Sequence, residues 1–148
     1  FVFAECKLYE SADKMTDEKF HWTSCGDETF NINVFHMKKE IRPQKTNMYI
    51  IISDNIDGFL VEYTRGNFGH QIIRIRIDKN QFFDVDAEIM SGYYGKNTRA
   101  SFFISPDQQK QLMEGKKILV RYITGQNGVS TESIDISTIK TPKQEDKK

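Results

Sequence analysis

The chain has 148 residues, with 21 Lys+Arg balanced by 21 Asp+Glu, 38% hydrophobic and 28% charged. That length suits one domain with a single core, and the composition is that of a folded chain rather than a disordered one. Zero net charge provides no long-range field toward nucleic acid or an anionic membrane, and apolar runs such as Met48 to Ile52 are too short to span a bilayer, so neither nucleic-acid binding nor an integral membrane segment is expected.

At the start, Val2 and Ala4 in Phe1-Val2-Phe3-Ala4 lie where an export signal carries small residues before its cleavage point. Residues 1–4 are therefore expected to be the remnant of a signal, 5–140 a single domain, and 141–148 a flexible charged tail. On this reading the protein is periplasmic or secreted, an oxidising setting in which Cys6 and Cys25 pair. Such a bridge closes a loop of about 20 residues and contributes on the order of 3 kcal/mol. The alternatives are two free thiols, or a lipid on Cys6, although bulky Glu5 occupies the position where lipid attachment wants a small residue.

Residues 5–18 mix charges without a clear period and read as a helical turn or a loop. From Phe20 a strand rhythm begins, with Phe20, Trp22 and Ser24 on one parity. Phe30, Ile32 and Val34 alternate with Asn31 and Asn33, and Tyr49-Ile-Ile-Ile52 suits a strand buried on both faces. Asp57-Gly58 predicts a turn into a partner strand at 59–64. Ile73, Ile75 and Ile77 face one way, while Arg74, Arg76 and Asp78 face the other. Short strands are expected at 82–85 and 99–104.

One short surface helix is expected over about 105–115. Ser105 caps it, Pro106 takes its first position, Gln108 completes a capping box and Gly115 ends it in a left-handed conformation. With few strong apolar residues it reads as a surface connector. Segments 117–124 and 131–137 form a hairpin across Gly125-Gln-Asn-Gly128, with Asn127-Gly128 as the positive-φ pair. The strand spacing predicts an all-β fold, a single β-sandwich of about 8 antiparallel strands.

No residue pattern here predicts catalysis. His21, His36 and His70 have no paired ligand spacing, and there is no nucleophile elbow or phosphate-cradling loop. Asp84, Asp86 and Glu88 alternate along a strand, and 53–58 partly mimics a calcium loop; an exposed sheet face and a hairpin turn account for them. No metal or other cofactor is expected. Arg74 or Arg76 is expected to approach Arg121, with Glu62 as counter-charge, forming either a solvated face or a patch for an anionic ligand or partner. Phe68, Tyr93 and Tyr94, in glycine-flanked loops, are candidates for a contact surface.

The second half runs Ile73-Arg-Ile-Arg-Ile-Asp78, Ala100-Ser-Phe-Phe103, Gln111-Leu-Met-Glu-Gly-Lys-Lys-Ile-Leu-Val-Arg-Tyr122 and Ser133-Ile-Asp-Ile-Ser137. This order of motifs resembles bacterial exported proteins of the invasion-associated locus B group, and is similar to the VasI accessory proteins of type VI secretion. It covers about residues 45–139. The chain departs from those patterns after Cys25, where Gly26-Asp27 follows, and in having no later cysteines. The resemblance implies a small β-sandwich in a bacterial envelope with a binding or assembly role, and it brings no catalytic residues with it. The expected function is non-enzymatic contact with a protein partner in the cell envelope or host. A glycan or small-molecule module using the aromatic loops is the alternative.

Overall fold

A computed structural model of the chain describes residues 6–41, 46–62, 69–91 and 97–139, with the backbone alone at 37–41 and 46–47. The strands are β1 (Lys7–Ala12), β2 (Lys19–Gly26), β3 (Phe30–Ile41), β4 (Thr46–Asp54), β5 (His70–Ile77), β6 (Phe83–Met90), β7 (Arg99–Phe103), β8 (Lys117–Ile123) and β9 (Val129–Asp135); the one helix, α1, is Pro106–Glu114. All nine strands join a single antiparallel sheet in the order β1-β2-β3-β4-β7-β6-β5-β8-β9. The all-β reading holds. The two facing sheets of a sandwich are replaced by one sheet curled into a half-barrel, which supplies both walls of its own core.

The curl brings the sheet's edges toward each other. β9 touches β2 and β3, and the Cys6 N–H donates to Thr138 Oγ1 at 2.8 Å. Cys6 and Cys25 form a disulfide beside this seam, one step beyond the Lys7↔Ser24 pair of β1 and β2. β1 falls in the stretch read as a loop or helical turn, because its side chains are almost all exposed and it presents no apolar period.

Alternation explains the core. Ile32, Val34, Ile50, Ile52, Ile73, Ile75, Ile77, Val85, Ala87, Ala100, Phe102, Ile118 and Val120 all point to the concave face and are buried. On β5 the alternation runs the full strand length, as its sequence predicts. Strand 82–85 proves longer, extending to Met90. Among the described residues, 59–62 do not pair with 46–53 as the expected hairpin would. β4 lies between β3 and β7, and the described residues after Gly58, 59–62, make the isolated bridges Phe59↔Thr124 and Glu62↔His70. That segment is fixed by buried Gln71, whose amide donates to Leu60 O and Ile123 O (both 2.9 Å) and whose carbonyl accepts from Ile123 N.

α1 carries the expected capping box: Gln108 N donates to Ser105 Oγ, and Ser105 N donates to Gln108 Oε1. It is more than a surface connector, since Leu112 is buried against the core beside Ile75, Ile77 and Phe102. Gly115 is extended (φ −84°) rather than left-handed; glycine is required because a Cβ would lie 2.6 Å from Ile77 Cγ2 and 2.9 Å from Gln111 O. In the β8–β9 turn, Asn127 has φ 68°, whereas Gly128 is not in the positive-φ region.

Candidate functional site

Cross-strand register on the outer face of the sheet assembles side chains that are remote in sequence. Tyr9 faces Trp22, Trp22 faces Phe35, Phe35 faces Tyr49 and Tyr49 faces Phe103. Successive ring centroids are 5.4, 5.8, 6.4 and 4.7 Å apart, so five aromatic rings form one continuous row across five strands. Phe20 packs on Trp22 at 6.2 Å. In a sheet such neighbours stabilise pairing, and the edges they leave exposed supply contact area. Each of Phe35, Tyr49 and Phe103 is an aromatic on the parity opposite to its strand's core residues, and that is the signal by which the row is legible in the sequence.

At Phe103 the row meets a cleft. The β6–β7 ladder comprises only Glu88↔Ser101, Ile89↔Ala100 and Met90↔Arg99. Beyond it the strands part, leaving an opening of about 720 Å³ with Tyr49, Ser101, Phe102 and Phe103 on one side, Asp84, Val85, Asp86 and Glu88 on the other, and Gln108 contributed by α1. Asp84 accepts two hydrogen bonds from Arg74, Nε at 2.9 Å and Nη2 at 3.2 Å, and the Arg74 guanidinium also lies 3.9 Å from the centre of the Phe82 ring. The hydrogen bond from Arg74 holds the Asp84 carboxyl below the usual range and raises the guanidinium in turn. His70 Nδ1 lies 2.8 Å from Asp86 Oδ1. Glu88 makes no ion pair with a described residue.

Two buried polar atoms at this end have no hydrogen-bond partner among the described residues, Ser101 Oγ and His70 Nε2. An Asp-oriented imidazole beside an unpaired serine hydroxyl resembles the parts of a hydrolytic site. However, β6 lies between their strands, which sets the backbones about 9.6 Å apart, and the two atoms do not bond to each other. Carboxylates, Ser101 and the aromatic residues Tyr49, Phe102 and Phe103 surround one opening.

A smaller hollow of about 300 Å³ lies next to the row, lined by Asn31, Asn33, Phe35, Ile51, Ser53, Asn55 and Arg99. The calcium-like stretch 53–58 serves the fold. Asp54 is buried, its Oδ1 accepts from Ile56 N and Asp57 N, and its Oδ2 accepts from Tyr122. Among the described residues no group of three His, Cys, Asp or Glu is placed to hold a metal ion.

The arginines behave differently from one another. Arg74 does stand directly opposite Arg121, but its counter-charge is Asp84, not Glu62. Arg121 Nε donates to Thr131 Oγ1, and Arg76 donates to the carbonyls of Asn80 and Lys79. Each guanidinium thus has a local partner. Phe68, Tyr93 and Tyr94 lie outside the described residues, as do 1–5 and 140–148. The described ends of the two aromatic loops are neighbours, since Ile89 N donates to Gly69 O. No described helix is long and apolar enough to cross a membrane.

No family model and no curated protein matches the sequence. In structure the chain is similar to the crystal structure of invasion associated protein B from Bartonella henselae, with a TM-score of 0.59 over 93% of this chain and 87% of that one, at 7% sequence identity. At that identity the likeness shows a shared fold and nothing further.

Proposed function

We propose that this is an exported envelope or secreted protein that works without catalysis, by contact with a protein partner in secretion or host interaction. The observation that carries the reading is the aromatic row on the outer face, where Tyr9 and Phe20 are 43% and 41% exposed and Trp22, Phe35, Tyr49 and Phe103 extend the surface inward. Contiguous aromatic surface of this kind is enriched at protein interfaces. The disulfide supports a location outside the reducing cytosol. The fold shared with an invasion associated protein is in keeping with a role in host interaction.

Site-specific photocrosslinking tests this. A photoreactive residue in place of Trp22 should give a discrete protein adduct in the cell envelope or host extract, and one in place of Thr131, on the opposite flank, should not. A diffuse smear from both positions would remove the reading. A second reading, glycan binding, is favoured by the amide-lined hollow beside Phe35. It predicts saturable binding of a neutral oligosaccharide that Asn33→Ala abolishes.

A further inference from the structure

We propose that the cleft between β6 and β7 receives a cationic side chain, an ammonium or guanidinium on an alkyl stem, from an extended segment of the protein partner. The proposal rests on the contact reading above and specifies the chemistry of what is contacted.

Three independent features of the cleft converge on that ligand. The first is unbalanced charge. Arg74 already neutralises Asp84, but Asp86 is held only by an imidazole and Glu88 has no described counter-ion, so the opening retains negative charge on its β6 side. An anionic ligand is repelled. The second is Ser101, 3% exposed, which lines the cleft directly opposite Glu88 and whose buried hydroxyl bonds to no described residue. A buried hydroxyl without a partner is costly, and an N–H donor entering between β6 and β7 would satisfy it. The third is the aromatic side. Tyr49 and Phe103 meet at 4.7 Å with their planes tilted by 46°, which offers ring surface to an alkyl stem and to a cation but no flat platform for a sugar. The opening, about 720 Å³, lies within the size range of ligand sites.

A metal ion is a poorer match, because two of the three carboxylates already have partners and no described acid–imidazole set has metal-binding geometry. Val85 and Phe102 at the base of the opening suit the methylenes of lysine or arginine.

The test uses the full, disulfide-intact chain labelled with ¹⁵N. The probes are a capped Gly-Lys-Gly tripeptide, its arginine and glutamine counterparts, and spermidine. The lysine and arginine peptides should shift the amides of Glu88, Ser101 and Phe103 saturably, with dissociation constants on the order of 1 mM. The glutamine peptide should not. Glu88→Gln, an exposed change that leaves the fold intact, should weaken binding about five- to tenfold, and Ser101→Ala about threefold. Added salt should weaken binding as well.

Equal response to the lysine and glutamine peptides, or affinity unchanged in Glu88→Gln, would overturn the proposal. So would saturable binding of spermidine with the lysine peptide silent, because the ligand would then be a free polyamine. A persistent Trp22 adduct with silent peptides would remove this inference alone. Peptide binding with no adduct would instead fault the contact reading.

Discussion

The Tyr122 hydroxyl donates to Asp54 Oδ2 at 2.6 Å, joining β8 to the end of β4 through the interior of the curl. Both residues are buried, and the Tyr122 ring packs on Phe59 and Phe30. Tyr122→Phe keeps the ring and removes only the hydrogen bond to a carboxylate, so it should cost about 1.5–3 kcal/mol in chemical denaturation. Asp54→Ala should cost more, because Ile56 N and Asp57 N lose their acceptor as well.

The same pair sets the alkaline behaviour. Burial, followed by the hydrogen bond to Asp54, pushes the Tyr122 phenol well above its ordinary value. The folded state therefore keeps a proton that the unfolded chain releases near pH ~10, and stability should fall as pH rises beyond that point. Unfolding free energies measured from pH 8 to 11 should decline less steeply in Tyr122→Phe than in the parent.

The Cys6–Cys25 bridge closes a sequence separation of 19 at the seam where Cys6 N meets Thr138. Replacing both cysteines by alanine should lower stability by about 3 kcal/mol. Hydrogen exchange should quicken first in β1, whose exposed side chains contribute little burial of their own.

Gly115→Ala tests close packing rather than backbone strain, because the residue is already extended. The added methyl meets Ile77 Cγ2 at 2.6 Å and the Gln111 carbonyl at 2.9 Å, and the second of these is backbone that cannot rotate away. A cost of about 1–3 kcal/mol is expected in urea titration. Gly128→Ala, with its nearest neighbour at 3.6 Å, should be nearly neutral and serves as the control.

Asp84 gives an acid-side prediction. Its folded value lies below the unfolded one because Arg74 hydrogen-bonds the carboxylate, so its contribution is present above pH ~4 and is lost as pH falls through the depressed value. Both side chains are more than two-fifths exposed, and solvent screening keeps the effect small. Melting temperatures of Asp84→Asn between pH 5 and 2 should fall slightly less than those of the parent, and the difference should shrink in high salt.

Local chemistry was readable from the chain; long-range pairing was not. The α1 capping box, the β5 alternation and the β8–β9 hairpin each depend on residues within a few positions of one another, so their signals are contiguous. β1 gave no signal because an exposed edge strand needs no apolar period. The Asp57-Gly58 turn is real, with Gly58 at φ 72°, yet the segment after it crosses to Thr124 and His70 instead of returning along β4. Nothing local distinguishes those two paths. The cleft was still harder to see: Asp86 and Glu88 stood out as an alternating pair, but Ser101, Tyr49 and Phe103 join them only through the register of β4, β7 and β6.

The reversed placement of β5–β6–β7 also has a consequence for biogenesis. β1 to β4 pair with successive neighbours and can zip together as the chain emerges, but β4 must wait for Arg99–Phe103 before its second edge is satisfied. Non-local closure of this kind is slow, and an open apolar strand edge invites intermolecular association. Until β7 is in place, Tyr49 to Ser53 is the apolar stretch that a folding chaperone would need to cover.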